Sequence, residues 1–192
     1  MRIKHSLGST LKTSTFLFFS LIFFLSGCAF YTVDVSRDDE LWGGYSFQEE
    51  YIVDKDLFII IPTLSTKKVL VPESSYHGRL LGRHYMAPNS ISEYLKDPVQ
   101  SSVYRNGGSE YKIDVVGVVK KGTILKTTKL EKRKAWTFYY GNTNDIFPYA
   151  EIITGDHTGT TVELTDVSVY RLNPKYDVYV YDPEEGLIRK KE

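Results

Sequence analysis

A mainly β fold is predicted, a small antiparallel barrel or sandwich with one short connector helix. Three observations predict it. Val, Ile, Thr and Tyr are frequent, and all 15 tyrosines fall after residue 28. Several segments alternate apolar and polar side chains with the period of two that half-buried strands require. Short Gly, Asn and Asp turn signals separate them at close intervals.

The first element is not part of that fold. Residues 1–15 carry Arg2, Lys4, His5 and Lys12 and no acid, and an apolar run follows from Phe16 to Leu25, broken only by Ser20. Ser26, Gly27 and Cys28 close it. A basic head, a short apolar core and small residues before a cut site are the parts of a secretory signal. The run is about half the ~20 residues a spanning helix needs. Residues 1–27 are therefore expected to be an export signal on a precursor chain.

Leu25-Ser26-Gly27-Cys28 resembles the lipobox of bacterial lipoproteins, and Cys28 is the single cysteine of the chain. The resemblance implies a diacylglyceryl group on the Cys28 sulfur, cleavage between Gly27 and Cys28, and, in Gram-negative bacteria, an acyl chain such as palmitate on the new amino group. Two or three acyl chains make a stable anchor where one is marginal. The expected partner of Cys28 is thus membrane lipid. Ala29 stands where an Asp resembles an inner-membrane retention signal; this favours the outer membrane, periplasmic face.

Charge and cysteine content narrow the function. Lys and Arg number 24, as do Asp and Glu, and three of the cations but none of the acids precede residue 28. Residues 28–192 therefore carry a net charge near −3, which argues against a nucleic-acid partner. With Cys28 lipidated no thiol remains for a disulfide or a nucleophile.

The elements follow in order. Residues 28–44 read as a lipidated tether ending in Trp42-Gly43-Gly44, and 45–192 as the β-rich domain, divisible at most into 45–105 and 106–192. Strands are expected at 45–53, 57–61, 68–71, 80–86, near Tyr104, and at 110–119, 123–130, 135–140, 149–154, 160–164 and 176–181. In Val162-Glu163-Leu164 the acid points away from two apolar neighbours. The stretch from Val178 to Tyr181 is apolar throughout, as in a strand buried on both faces. Ser90-Ile91-Ser92-Glu93 fits a capping box for the connector helix, which Asp97-Pro98 should stop.

Lys120-Lys121-Gly122-Thr123 leads into a strand. Farther on, Ala150-Glu151-Ile152, Gly155, Gly159 and Val162-Glu163-Leu164 outline a hairpin that ends in a short turn from Thr165 to Ser168. Over about sixty residues, 110–170, this resembles the SH3-like barrels of bacterial envelope proteins. The resemblance implies an SH3-like C-terminal part, with Ala150 where a small barrel leaves no room.

Chemistry-bearing patterns are few. His77, His84 and His157 do not have the spacing of a metal motif such as His-Glu-x-x-His. No Gly-x-Ser-x-Gly elbow occurs, and Gly107-Gly108-Ser109 reads as a turn. The acid pairs Asp38-Asp39, Glu49-Glu50 and Glu184-Glu185 read as solvated surface. Asp156-His157 reads as a polar hairpin tip. No catalytic residue, cofactor or metal site is assigned. Lys120-Lys121 and the basic stretch 129–134 read as solvated turns that could contact anionic head groups or glycan phosphates. The aromatic strand is the stronger signal. Trp136, Tyr139 and Tyr140, with Tyr149 beyond the next loop, form a candidate binding surface for a sugar or a partner's strand.

The expected function is that of a membrane-anchored envelope lipoprotein, a non-enzymatic binding or structural module for the cell wall or another envelope protein. The competing expectation is a peptidoglycan or glycan hydrolase whose site is assembled from loops around His77, His84 or His157.

Overall fold

The structure, a computed structural model, describes residues 29–62, 65–74, 76–78, 84–106, 109–137 and 141–192. Of these, 29–30, 76–78, 84–86, 104–106, 109–111, 135–137 and 141–144 are described by backbone alone. The chain forms two units. The described residues of the smaller are 29–31, 134–137 and 141–143, all in strands. The larger, Thr32–Arg133 with Asn144–Glu192, contains all the side-chain contacts discussed below.

In chain order the strands are β1 (Ala29–Asp34), β2 (Glu50–Val53), β3 (Leu57–Ile61), β4 (Val69–Val71), β5 (Tyr76–Gly78) and β6 (His84–Met86). Two short helices follow, α1 (Ile91–Lys96) and α2 (Pro98–Ser101). Then come β7 (Val103–Asn106), β8 (Ser109–Lys112), β9 (Asp114–Val119), β10 (Ile124–Thr137), β11 (Gly141–Ile152) and β12 (Thr161–Glu163). The chain ends with β13 (Ser168–Asn173), β14 (Val178–Pro183) and β15 (Ile188–Lys190). Helical turns lie at Asp39–Leu41 and Thr165–Val167.

The mainly β class with a short helix is as expected; the barrel is not. Eleven strands form one open, mixed sheet whose main path runs β15-β2-β10-β11-β12-β4-β3-β9. The β11–β12 hairpin forms in the expected place, pairing Tyr149 with Glu163 and Ala150 with Val162, and the Thr165–Val167 turn follows it. Closure fails because β12 continues into a parallel pairing with β4 (Glu163 beside Val69), and β11 also takes β14 in parallel (Asp145 beside Tyr179). Nor does the sheet divide at 105/106. Strands from the first half pair with strands from the second: β2 with β10 and β15, β3 with β9, and β4 with β12.

Alternation gives the sheet two different faces. Leu57 and Ile59 of β3, Leu70 of β4, Leu125 and Leu130 of β10, Ile146, Ala150 and Ile152 of β11, and Val162 of β12 join the main core. Leu41, Trp42, Tyr45, Val178, Val180 and Ile188 are in the same core. Phe58, Ile60, Val69, Val71 and Val118 belong to the opposite face, where Ala87 and Ile91 cover them. Tyr94 of α1 meets the Phe58 ring edge-on at 5.4 Å between centroids. Each such fully buried side chain contributes roughly 1.5–3 kcal/mol by leaving water.

Three further expectations are corrected. The tether over 28–44 is built into the fold for residues 34–44. Ser36 donates to Asp34 from both its amide and its hydroxyl (2.9 and 2.5 Å), while Val35 N–H bonds Leu130 C=O at 2.9 Å. Trp42, 2% exposed, donates its indole N–H to Ser36 C=O at 2.9 Å. An indole and a leucine in sequence are too apolar to remain in solvent when a core lies within reach. The basic stretch 129–134 is not a turn, because β10 runs straight through it. The β14 segment is not buried on both faces: Val178 and Val180 point inward, but Tyr179 is 45% exposed.

Candidate functional site

The second face of the sheet changes character along its length. Beyond the apolar half covered by α1 it presents charge. The β11–β12 hairpin sets Tyr149 directly opposite Glu163. On neighbouring β10, Lys129, Glu131 and Arg133 are spaced by two, so all three point to one side. The strands thereby gather a phenol, two carboxylates and a guanidinium.

Arg133 is the hub. Its Nη2 donates to Glu131 Oε2 at 3.2 Å and to Glu163 Oε2 at 3.0 Å, and it also bonds the Tyr149 hydroxyl. The guanidinium carbon lies over the Phe147 ring, 3.8 Å from its centroid, a favourable cation–π contact for a desolvated cation. Tyr149 Oη lies 3.0 Å from Glu131 Oε2 and 3.1 Å from Glu163 Oε2. Its single proton serves one carboxylate at a time, while Arg133 serves both. Thr165 donates to Glu163 Oε1 at 2.9 Å. On the outer side Lys129 Nζ and Lys67 Nζ bind the same oxygen, Glu131 Oε1, at 2.8 and 3.1 Å.

Burial makes these contacts compulsory. The Glu131 and Glu163 side chains are 4% and 1% exposed, and Arg133 is 11% exposed. A carboxylate this deep is tolerated only when paired and hydrogen-bonded. Burial alone would raise the Glu131 carboxyl, but the bonds from Lys129 and Lys67 and the Arg133 charge outweigh it and bring it down to about 2. Burial, with the Glu163 charge beside it, pushes the Tyr149 phenol far above its ordinary range. Burial would lower Arg133, yet the facing Glu163, Tyr149 and Glu131 raise it.

Outside this network lies a cleft of about 360 Å³, lined by Thr66, Lys67, Lys68, Lys129, Tyr149 and Thr161. The Lys67 and Lys129 side chains are 42% and 41% exposed, so both ammonium groups reach it. Other hollows lie among the described residues. One of about 890 Å³ is lined by residues 34–40, Phe47, Thr128 and Tyr176. One of about 160 Å³ lies beside His157.

The residues expected from sequence fare differently. Cys28, Tyr139 and Tyr140 lie outside the described residues, and Trp136 is described by backbone alone. Tyr149 is no part of an exposed aromatic surface. It is 3% exposed, because its hydroxyl is needed between two buried carboxylates. His77 and His84 lie on the paired strands β5 and β6, with side chains outside the description. His157 packs its imidazole against Gly117, where a Cβ would stand 2.3 Å from Nε2. Among the described residues no three of His, Cys, Asp and Glu are grouped to hold a metal ion.

Sequence reasoning missed Glu131, Arg133, Glu163, Lys67 and Lys68 as a set. The Lys-x-Glu-x-Arg alternation at 129–133 is a signal that could have found part of it. Three charges on one face of a strand need partners from the next strands. The chain matches no protein-family model, no curated protein and no solved structure.

Proposed function

We propose that this chain is a membrane-anchored envelope lipoprotein, held to lipid through acylated Cys28, whose β-rich domain binds the cell wall or another envelope protein without transforming it. The anchor is supported by Leu25-Ser26-Gly27-Cys28 at the end of a short apolar run, with Cys28 the only cysteine. No helix among the described residues is long and apolar enough to cross a membrane. The observation that carries the binding reading is the fixed charge of the site. Glu131 is held ionised down to about pH 2 and Tyr149 stays neutral far above its usual range. General acid–base chemistry works best with a group that titrates near the operating pH. A network locked in one charge state is suited to holding a ligand.

Two measurements test this. Bacteria expressing the full chain are fed a tagged palmitate analogue. Label should enter the protein and disappear with Cys28→Ser, and label retained by that variant would refute the anchor. The detergent-solubilised full chain is then mixed with purified sacculi. Capture without release of soluble wall fragments is the expected result. Fragment release would establish the hydrolase instead, and an absence of capture would leave an envelope protein as the partner, to be sought by crosslinking in intact cells.

A further inference from the structure

We infer that the cleft between Lys67, Lys68 and Lys129 is a binding site for a phosphate group, with the Thr66 and Thr161 hydroxyls as additional donors. This rests on the binding-module reading above and names the chemistry of its ligand.

Lys67 Nζ and Lys129 Nζ share one acceptor, Glu131 Oε1, at 3.1 and 2.8 Å. The two ammonium groups therefore stand no further apart than those two bonds laid end to end. Like charges that close repel, and one carboxylate on their inner side offsets only part of it. Each ammonium has three donors and spends one on Glu131, so the rest are available on the cleft side. Lys68, the third cation, has no carboxylate partner among the described residues. Lys67, Lys68 and Lys129, with Arg133 behind them, set four cations against three carboxylates, Glu131, Glu163 and Glu151, the last paired opposite Thr161. The local excess of positive charge therefore opens into the cleft, although residues 28–192 are net acidic.

The site is also preorganised. The Lys67 ammonium lies 5.2 Å above the Tyr149 ring centroid, and its backbone N–H donates to Ser65 Oγ at 3.0 Å. The Lys68 carbonyl accepts the Glu163 amide at 2.9 Å, tying the loop to β12. Lysines usually lose much side-chain freedom on binding an anion. Here two of the three are ordered beforehand by Glu131, which lowers that cost. Three lysines and two threonines lining about 360 Å³ fit a compact, multiply charged oxyanion. A phosphate monoester and a phosphodiester head group share that chemistry.

The test uses the full-length chain in nonionic detergent. Inorganic phosphate and glycerophosphoglycerol, a soluble head-group diester, are titrated separately by calorimetry. Lysine acylation is followed residue by residue by mass spectrometry. Phosphate should slow acylation of Lys67, Lys68 and Lys129 at least threefold while leaving Lys120, Lys175 and Lys190 unchanged. Lys68→Ala, which leaves every Glu131 contact in place, should weaken binding about tenfold. Thr161→Val should weaken it by less. Lys190→Ala should leave it unchanged. Binding of the diester with the same footprint assigns a lipid or polymer phosphodiester, and binding of phosphate alone assigns a monoester or the free ion. Uniform protection of all lysines, or an affinity indifferent to Lys68→Ala in a variant still folded by circular dichroism, overturns the site. A chain captured by sacculi whose cleft ignores both probes fails this inference and keeps the binding-module reading.

Discussion

Gly43 turns the chain at φ +65°, and a Cβ there would stand 2.4 Å from the Tyr181 carbonyl oxygen, which is backbone and cannot swing away. Gly122 has φ +86° with open space around it. The two glycines separate conformational strain from collision. Gly122→Ala should cost about 1 kcal/mol, the left-handed penalty alone. Gly43→Ala should cost more than about 2 kcal/mol, since Trp42 beside it is locked into the core. Urea midpoints of the two variants check this, and equal losses would mean that the 43–181 contact yields. Arg133 sets a second test. Arg133→Met removes the guanidinium that bonds both carboxylates and leaves Glu131 and Glu163 buried without it. The expected loss is about 3–5 kcal/mol, the usual cost of removing one partner from a buried ion pair. The main actors at the site were illegible beforehand for a physical reason. Alternation turns Glu163 away from the buried Val162 and Leu164, but direction does not reveal what lies there. Its partners come from β10 and β11, and only the register of those strands makes Arg133 its neighbour.

At the scale of elements, the sequence was most readable where local rules act alone. Ser90 caps α1 as expected, its Oγ accepting the Glu93 amide at 3.4 Å. A second free amide of the first turn is satisfied from outside the helix: Glu73 accepts the Ile91 amide at 2.6 Å. Asp97-Pro98 ends α1 and also begins α2, with Pro98 in the first turn and Asp97 Oδ1 accepting the Gln100 amide at 3.0 Å. Proline needs no donor there, so the same dipeptide stops one helix and starts another. Asp97→Ala should therefore unwind α2 while sparing α1, at about 1 kcal/mol. Amide exchange at Gln100 and Ser101 should quicken, and exchange at Tyr94 should stay as it was. The β3 bounds and the β11–β12 hairpin were equally legible. What was not legible is closure. A hairpin followed by a one-turn helix is compatible with a barrel or an open sheet, and the choice falls to the parallel β4–β12 and β11–β14 pairings, whose partners are far apart in sequence. The edge strand β13 has no sequence signature because Val169, Tyr170, Arg171 and Leu172 are all exposed, which erases the alternation by which strands are read. Its diagonal ring contact, Tyr170 on Tyr179 at 5.5 Å, is a cross-strand feature with no local trace.

For the molecule as a whole, the ionic network links folding to acidity in a definite direction. Glu131 titrates at about 2 in the folded chain, against an ordinary value of 4.5. Its folded value lies below its unfolded one, so the unfolded chain takes up the proton first as pH falls. The stabilisation is complete above about pH 5 and is lost progressively between there and pH 2. A difference of that size corresponds to about 3 kcal/mol. Asp34, lowered by the two Ser36 bonds, acts in the same sense. Urea unfolding from pH 7 down to pH 2.5 should show stability falling most steeply below pH 4.5. Glu131→Gln removes the charge permanently and leaves Lys67 and Lys129 a neutral amide oxygen in place of a carboxylate. Its stability should be several kcal/mol lower at pH 7 and converge on the parent as the pH falls toward 2, where the parent's own carboxyl takes up its proton. Two parallel curves would show that the carboxylate is not stabilised by the fold. Convergence would show that the same lysines that line the cleft hold the sheet together at neutral pH. An anion bound in the cleft at neutral pH should then raise the urea midpoint of the parent more than that of Lys68→Ala.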